Sequence, residues 1–305
     1  MRISFCAQTD PAPWLAALQQ HLPPAQVDVW HSGAARADYA IVWAPPQQFF
    51  DEQTALQAVF NMGAGVDALL QREIRPDLPI VRLNDAGMGV QMAEYVCHAL
   101  IRHTRDFALF EVQAQQGLWQ EPPVLDRADF PVGILGLGVL GEQVARAVQH
   151  FGFPVLGWSR TERHVDGMRC LHGHAQLADF LAGTRVLVNL LPLTPQTENL
   201  MNRVNLSQLR SGAYLINIAR GRHVVDEDLL ALLDSGQMAG ATLDAFRTEP
   251  LPTQHPFWRH PRVTVTPHIA GRTVLQDTVL QIVAKVAALQ KGEPIEGVVD
   301  RALGY

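Results

Sequence analysis

A glycine pattern in the middle of the chain restricts the possible fold more than any other feature. The apolar stretch 132–135 reads as a strand, and Gly136, Gly138 and Gly141 follow it at the spacing GxGxxG. The first glycine permits a tight turn, the second lets a ligand approach the backbone, and the third lets a helix pack closely on the strand. The periodic segment 142–150 supplies that helix. We therefore predict a strand–turn–helix unit whose positive helix end binds the phosphates of a dinucleotide.

The end of the next strand indicates which dinucleotide is preferred. The strand predicted at 154–158 runs into Ser159, Arg160 and Thr161, and no Asp or Glu occurs between residues 153 and 161. Sites for NAD usually have an acidic residue here that binds the ribose hydroxyls, whereas an arginine accommodates a 2′-phosphate. We therefore predict that NADP(H) is the preferred cofactor, with NAD(H) as the alternative.

Short apolar runs alternate with helical stretches along the whole chain, which predicts parallel strands in a layered α/β fold. We expect two doubly wound lobes, a flavodoxin-like domain and a Rossmann NAD(P)-binding domain. The first is expected to comprise residues 1–97, completed by a C-terminal helix and tail at 272–305, and the second residues 98–271. The boundary is placed at the long helical pattern 91–117, before the polar linker 121–129. The tail at 295–300 is expected to return to the first sheet.

Composition excludes several classes of protein. The 305 residues include 24 basic and 30 acidic ones, a net charge of −6, which argues against a protein that coats nucleic acid or an anionic membrane. Cys6, Cys97 and Cys170 are too far apart in sequence for a metal motif and fit reduced thiols. We find no signal peptide and no apolar run of about 18 residues. We expect a cytoplasmic protein with no metal, nucleic-acid or membrane partner.

Three polar residues follow predicted strands of the second half. Arg220 follows the strand at 213–218, Glu249 lies shortly after the strand at 240–244, and His268 follows the strand at 263–265. Because ligands of a doubly wound sheet bind beyond the carboxyl ends of its strands, we expect these side chains to meet. An arginine can bind a carboxylate and polarise a carbonyl, a histidine can donate a proton, and a glutamate can orient the imidazole. Singly each has an ordinary structural explanation, but together they favour reduction of a 2-oxo acid.

The chain resembles the D-isomer-specific 2-hydroxyacid dehydrogenases over nearly its whole length. The resemblance rests on the glycine turn and on these further segments: Gly63-Ala64-Gly65-Val66-Asp67, Leu190-Leu191-Pro192-Leu193-Thr194, Asn217-Ile218-Ala219-Arg220-Gly221, residues 244–250 and Pro267-His268-Ile269-Ala270. Within the family it most resembles the glyoxylate/hydroxypyruvate reductases, on Trp43-Ala44-Pro45-Pro46, Trp158-Ser159-Arg160 and residues 251–261.

The resemblance implies roles for individual residues. Arg220 would bind and polarise the substrate, His268 would be the acid/base and Glu249 its partner, while Asp244 would lie near the nicotinamide carboxamide. The implied cofactor-binding residues are Gly136, Leu137, Gly138, Val139, Leu140, Gly141, Ser159, Arg160, Thr161, Leu191, Pro192, Ile218, Ala219, Asp244 and Ala270. The implied substrate-binding residues are Trp43, Ala64, Gly65, Val66, Met88 and Arg220. The lobe of residues 1–97 would be the substrate domain, and the 91–117 region would help to form a homodimer.

The predicted function is NADPH-dependent reduction of small 2-oxo acids, glyoxylate or hydroxypyruvate, with histidine as proton donor. One alternative is a related reductase of bulkier 2-oxo acids. Another is a non-enzymatic dinucleotide sensor or co-repressor on the same fold, against which the complete set Arg220, Glu249 and His268 argues. The acid that the family usually has after the second strand is missing here, which puts a preference for NAD in doubt.

Overall fold

The computed structural model describes residues 1–305, which divide into two compact units. The first unit combines Met1–Gly87 with Thr273–Tyr305, and the second is Met88–Arg272. The division therefore falls at Gly87, where the sequence placed it at residue 97. The reason is that the helix beginning at Met88 packs, as one piece, against the helix that follows the glycine turn in the second unit.

Strands and helices alternate through most of the chain. The strands are β1 (Arg2–Cys6), β2 (Gln26–Val29), β3 (Tyr39–Val42), β4 (Ala58–Asn61), β5 (Ile80–Val81), β6 (Val132–Leu135), β7 (Val155–Ser159), β8 (Arg169–His172), β9 (Val186–Asn189), β10 (Ala213–Asn217), β11 (Met238–Leu243) and β12 (Val263–Val265). The helices are α1 (Ala12–His21), α2 (Gln47–Glu52), α3 (Asp67–Leu70), α4 (Met88–Thr104), α5 (Phe107–Gln116), α6 (Val139–His150), α7 (Leu177–Gly183), α8 (Arg203–Leu206), α9 (Asp226–Asp234) and α10 (Leu275–Gln290). No helix is both long enough and apolar enough to cross a lipid bilayer.

The first unit contains a five-stranded parallel sheet in the order β2-β1-β3-β4-β5, which is the flavodoxin-like order. α10 packs against α1. The tail then returns to this sheet, where Val298 bridges Val81 in antiparallel fashion and the Val299 amide donates to the Ile80 carbonyl at 2.8 Å. The C-terminal segment thus belongs structurally with the first sheet.

The second unit contains a seven-stranded parallel sheet in the order β12-β11-β10-β9-β6-β7-β8. Counted from β6, this is the 3-2-1-4-5-6 order of a dinucleotide-binding sheet with one further strand at the edge. The order reverses between β6 and β9, which is where such sheets bind ligands. The two sheets confirm the α/β class with two doubly wound lobes.

Central strands of the second sheet are buried on both faces, and every residue of β6, β9 and β10 is buried. Neighbouring residues of a strand enter different apolar clusters. Leu187 and Leu215 pack on one side, and Val188 and Ile216 pack on the other. This explains why these strands read as unbroken apolar runs rather than as alternating ones.

The helical pattern predicted at 91–117 is two helices in the structure. α4 ends at Thr104 and α5 begins at Phe107, with Asp106 in the left-handed conformation at φ 52°. A left-handed residue cannot continue a right-handed helix, so the chain turns there. The pattern predicted at 91–117 runs across this break as a single helical segment, and the structure divides it there.

Candidate active site

His268 and Glu249 form a direct hydrogen bond in the loops that follow β12 and β11. The distance from His268 Nδ1 to Glu249 Oε2 is 2.9 Å, and Glu249 Oε1 accepts a hydrogen bond from the Phe246 amide at 2.9 Å. Because a carboxylate only accepts, Nδ1 carries the proton and Nε2 is the nitrogen left for proton transfer. Burial raises the pKa of Glu249, but these two hydrogen bonds and the charges of His268 and Arg220 outweigh it and leave the pKa below its usual value.

Arg220 lies close to this pair. It lies in the loop after β10, separated from the strand by Ile218 and Ala219, and its charge is one of the causes that lower the Glu249 pKa. Its Nη1 donates to the Ala219 carbonyl at 2.9 Å. The next residue, Gly221, packs so closely on the backbone of the 246–247 segment that an added Cβ would lie 1.8 Å from the Phe246 carbonyl carbon. Only glycine fits there, and this contact brings the Arg220 segment against the segment that carries Glu249.

Asp244 holds the His268 loop. The carboxylate is 1% exposed and accepts hydrogen bonds from the Thr266 hydroxyl at 2.6 Å and from the Ile269 and Ala270 amides, each at 2.8 Å. His268 itself has a left-handed backbone with φ 55°. Such a conformation is costly for a residue with a side chain and persists where its surroundings hold it. The role suggested for Asp244, near a nicotinamide carboxamide, stays a prediction, since its observed partners belong to this loop.

The three glycines of the GxGxxG pattern have the properties that a dinucleotide-binding turn requires. Gly136 has φ 101°, in the left-handed region that favours glycine. At Gly138, the residue that caps α6, an added Cβ would meet nothing within 4 Å. At Gly141 it would lie 1.8 Å from the Gly136 carbonyl oxygen. The turn therefore has open space above its second glycine and close packing beneath its third, as the sequence predicts.

Ser159 ends β7, with Arg160 and Thr161 directly after it. The Ser159 side chain is buried and its hydroxyl donates to the Thr161 carbonyl at 2.7 Å, while Arg160 and Thr161 are exposed. The Gly173 amide donates to the Ser159 carbonyl at 3.0 Å, which ties the end of β7 to the loop after β8. This strand end carries a guanidinium and hydroxyls but no carboxylate.

The remaining residues expected at the cofactor lie after β6, β9, β10 and β12. Most of them are buried: Leu137, Leu191, Ile218, Ala219 and Ala270. Leu140 and Pro192 are half-buried, and Val139 is exposed. They line the carboxyl edge of the sheet on both sides of the point where the strand order reverses.

A buried polar network beneath Arg220 was not predicted from the sequence. Asn189 Nδ2 donates to Asn217 Oδ1 at 2.9 Å and also lies 3.0 Å from His223 Nδ1, and all three residues are 0% exposed. Asn217 Nδ2 donates to the Arg220 carbonyl at 3.1 Å, and His223 Nε2 lies 3.3 Å from the Pro192 carbonyl. The network connects the loops after β9 and β10. Asparagines that end apolar strands are the sequence signal that could have revealed it.

The first unit contains most of the residues that the resemblance assigns to substrate. Asn61 Nδ2 donates to the carbonyls of Gly63 and Gly65 at 3.0 and 2.8 Å, which fixes this turn. Trp43 is 42% exposed and packs against Gly63, where an added Cβ would lie 2.6 Å from the indole ring. Val66 is buried, and the turn from 63 to 66 has no left-handed residue, unlike an anion-binding nest. In the second unit, the expected substrate residue Met88 is also buried, at the start of α4.

A family model described as "D-isomer specific 2-hydroxyacid dehydrogenase, NAD binding domain" matches residues 97–270. The chain belongs to the D-isomer specific 2-hydroxyacid dehydrogenase family. The family inferred from the sequence motifs is therefore confirmed, and the chain is an NAD(P)-dependent oxidoreductase of this family.

Relatives of this dehydrogenase carry a narrower name. A glyoxylate/hydroxypyruvate reductase A from Yersinia enterocolitica is 47% identical over 301 residues, covering 96% of each chain. The protein of the same name from Serratia proteamaculans is 48% identical over 299 residues, again covering 96% of each chain. These relatives confirm the narrower resemblance to this group of reductases.

Solved structures of the family match along the whole dehydrogenase. One is a D-isomer specific 2-hydroxyacid dehydrogenase from Xanthobacter autotrophicus in complex with NADPH and MES, with a TM-score of 0.94 and 40% identity, covering 100% of this chain and 99% of that one. Another is an NADPH-dependent glyoxylate/hydroxypyruvate reductase from Sinorhizobium meliloti in complex with NADP and sulfate, with a TM-score of 0.95, 35% identity and the same coverage.

Proposed function

We propose that this dehydrogenase reduces glyoxylate and hydroxypyruvate, both small 2-oxo acids, to the corresponding 2-hydroxy acids with NADPH. The observation that carries the proposal is the hydrogen bond between His268 and Glu249 beside Arg220, in the same unit as the glycine turn. Relatives named for this reaction support the substrate class, and family members solved with NADPH or NADP support the cofactor.

The three side chains divide the chemistry between them. Arg220 binds the substrate carboxylate and polarises the adjacent carbonyl, because a guanidinium offers several donors in one plane. When bound, the reduced nicotinamide supplies a hydride to the carbonyl carbon. His268 gives the proton on Nε2 to the carbonyl oxygen, which completes the hydroxyl group, and its ring becomes neutral. Glu249 holds the ring through Nδ1 and stabilises its charged form before the transfer.

The residues present fit the proposed cofactor. The left-handed Gly136 and the open space at Gly138 suit a pyrophosphate against the N-terminus of α6. Arg160, with Ser159 and Thr161 beside it, suits a 2′-phosphate, and no Asp or Glu lies between residues 153 and 161 to bind an unmodified ribose. NADP(H) is therefore the preferred cofactor in this proposal, and NAD(H) is the weaker one.

The substrate side of the proposal rests on the first unit. Trp43, Ala64, Gly65 and Val66 are proposed to bind the substrate, together with Met88. The Asn61 bonds that fix the turn and the partly exposed indole of Trp43 support this assignment. The variant Trp43→Ala is expected to raise the KM for glyoxylate and leave the Kd for NADPH unchanged. An equal change in both constants would contradict the assignment.

The active form is proposed to be a homodimer. Apolar side chains stand exposed on α5 and in the segment after it: Phe107, Leu109, Val112, Leu118, Trp119, Val124 and Leu125. A second copy of the chain is the occupant proposed for this surface, because contiguous exposed apolar side chains mark interaction sites. Val112→Asp is expected to halve the mass measured by light scattering, whereas Val204→Asp, at an exposed position of α8, is expected to leave that mass unchanged. If light scattering gave the wild-type protein the mass of one chain, the proposed dimer would be contradicted.

The cytoplasm is proposed as the compartment. All three cysteines are free in the structure, which is typical of proteins kept in reducing conditions. Cell fractionation with an activity assay tests this, and recovery of the activity outside the cytoplasmic fraction would contradict it.

Steady-state kinetics test the proposed function. NADPH and NADH oxidation should be followed with glyoxylate, hydroxypyruvate, pyruvate and bulkier 2-oxo acids. We expect the highest kcat/KM with NADPH as the cofactor and with glyoxylate or hydroxypyruvate as the substrate. A preference for bulkier acids would favour the first alternative. NADPH binding without turnover of any 2-oxo acid would favour a dinucleotide sensor.

A further inference from the structure

Helix α4 holds both ends of the segment that carries His268. The Tyr95 hydroxyl forms a hydrogen bond of 2.5 Å with the Thr266 hydroxyl. The Gln91 side chain donates to the Arg272 carbonyl at 2.9 Å and accepts from the Arg272 amide at 3.3 Å. Residues four apart lie on one face of a helix, so a single face of α4 holds this segment on both sides of the histidine.

The direction of the hydrogen bonds follows from the groups involved. The Thr266 hydroxyl donates to Asp244 Oδ1 at 2.6 Å, since a carboxylate only accepts. A hydroxyl has one proton, so Thr266 must accept from Tyr95, which is the donor. The result is a series of two hydrogen bonds, in which Tyr95 donates to Thr266 and Thr266 donates to the buried Asp244 carboxylate.

Asp244 connects these hydrogen bonds to the backbone next to His268. Its two oxygens also accept from the Ile269 and Ala270 amides, directly after His268. The left-handed conformation of His268 is unfavourable for a residue with a Cβ, so the surrounding bonds must maintain it. If Tyr95 were removed, the Thr266 hydroxyl could rotate away from Asp244, and one of the bonds that fix the loop would be lost.

We propose that Tyr95 is a positioning residue for His268, acting through Thr266 and Asp244. The inference rests on the proposed function, in which His268 is the proton donor. Burial raises the pKa of Tyr95 to about 12, with the Asp244 charge adding to the rise against the opposing Thr266 bond. The hydroxyl therefore keeps its proton and remains a donor from mildly acidic to mildly alkaline pH.

The chain offers a matched control. Tyr214, in β10 of the same unit, is buried, whereas Tyr95 is partly buried, and Tyr214 forms a 2.7 Å hydrogen bond with the hydroxyl of Thr242. Tyr95→Phe removes the hydrogen bond to Thr266, and Tyr214→Phe removes hydrogen bonds to Thr242 and Thr264. Only the Tyr95 bond is part of the series of hydrogen bonds that leads to Asp244 and the His268 loop. Melting temperatures of the two variants show whether their effects on stability are comparable.

We expect Tyr95→Phe to lower kcat for glyoxylate reduction about tenfold, which corresponds to about 1.4 kcal/mol and to one hydrogen bond. The Kd for NADPH should not change, and the loss should be the same at every pH tested. Tyr214→Phe should keep kcat within about twofold of wild type, since it leaves the loop bonds intact. Thr266→Ser, which keeps the hydroxyl, should retain most of kcat.

A double-mutant cycle separates positioning from general loss of stability. Thr266→Val already removes the hydroxyl that links Tyr95 to Asp244, so adding Tyr95→Phe to it should cause no further loss of kcat. Losses that multiply, or a Tyr95→Phe variant with the kcat of Tyr214→Phe, would overturn the inference. An equal weakening of NADPH binding would also overturn it. A wild-type protein that reduces no 2-oxo acid would instead contradict the proposed function.

Discussion

The variant Glu249→Gln tests the acid/base assignment. Glu249 now accepts two hydrogen bonds, from His268 Nδ1 and from the Phe246 amide. An amide of the same shape can keep only one acceptor, so either the Phe246 amide loses its partner or an NH₂ group faces the imidazole. In both cases the charged ring loses the carboxylate that stabilises it. Reduction requires the charged ring, so its activity falls as pH rises through deprotonation of His268, and the variant should move this fall to lower pH.

The magnitude follows from the exposure of the pair. The His268 and Glu249 side chains are 38% and 37% exposed, so water screens much of their attraction. A hydrogen bond between charged groups contributes about 1.5–3 kcal/mol when well protected, and an exposed ion pair at most about 1 kcal/mol. An intermediate value of about 1.4 kcal/mol corresponds to about one pH unit. Because the Glu249 pKa is lowered, its carboxylate is charged throughout the neutral range and loses this charge only as pH falls through that lowered pKa.

The assay is kcat/KM for glyoxylate as a function of pH, which reports the groups of the free enzyme. Glu198→Gln is the control, because Glu198 pairs with Arg222 and the variant makes the same change in net charge. We expect the falling limb of Glu249→Gln to lie about one pH unit below that of wild type and Glu198→Gln to match wild type. A limb that stays in place, or that moves to higher pH, would refute the reasoning.

Three further predictions concern residues of the second unit, Met88–Arg272. His268→Ala should lower kcat by about 10²–10⁴, the usual contribution of a general acid, while NADPH binding measured by fluorescence is retained; a near wild-type rate would sink the assignment. Arg160→Ala should raise the KM for NADPH about ten- to a hundredfold, because one charge-assisted phosphate contact is lost, and should leave the KM for NADH nearly unchanged. An equal rise of both KM values would count against the 2′-phosphate site. Gly141→Ala should lower the melting temperature and weaken NADPH binding, because its Cβ would lie 1.8 Å from the Gly136 oxygen; calorimetry showing wild-type stability would contradict that packing.

Much of the fold could be predicted from the sequence because its signals are local. The strand before Gly136 and the helix after it are encoded within about 20 residues, and apolar runs indicate strands that are buried on both faces. Short or interrupted elements were harder. The two-residue β5 was not predicted, and one left-handed residue, Asp106, divides the helical segment predicted at 91–117. The division of the chain at Gly87 depends on where α4 packs, which its own sequence does not specify.

The sequence by itself determined the glycine turn, the lack of an acid between residues 153 and 161, and the presence of Arg220, Glu249 and His268 after successive strands. Each of these depends on backbone restrictions or chemistry carried by a few neighbouring residues. Only the tertiary structure decided that Glu249 and His268 bond to each other and that Asp244 holds the loop that carries His268. It also decided the link from Tyr95 to Thr266, which joins residues 171 positions apart. Such contacts form because the parallel strands bring their carboxyl ends to one edge, and no local pattern in the sequence records which side chains meet there.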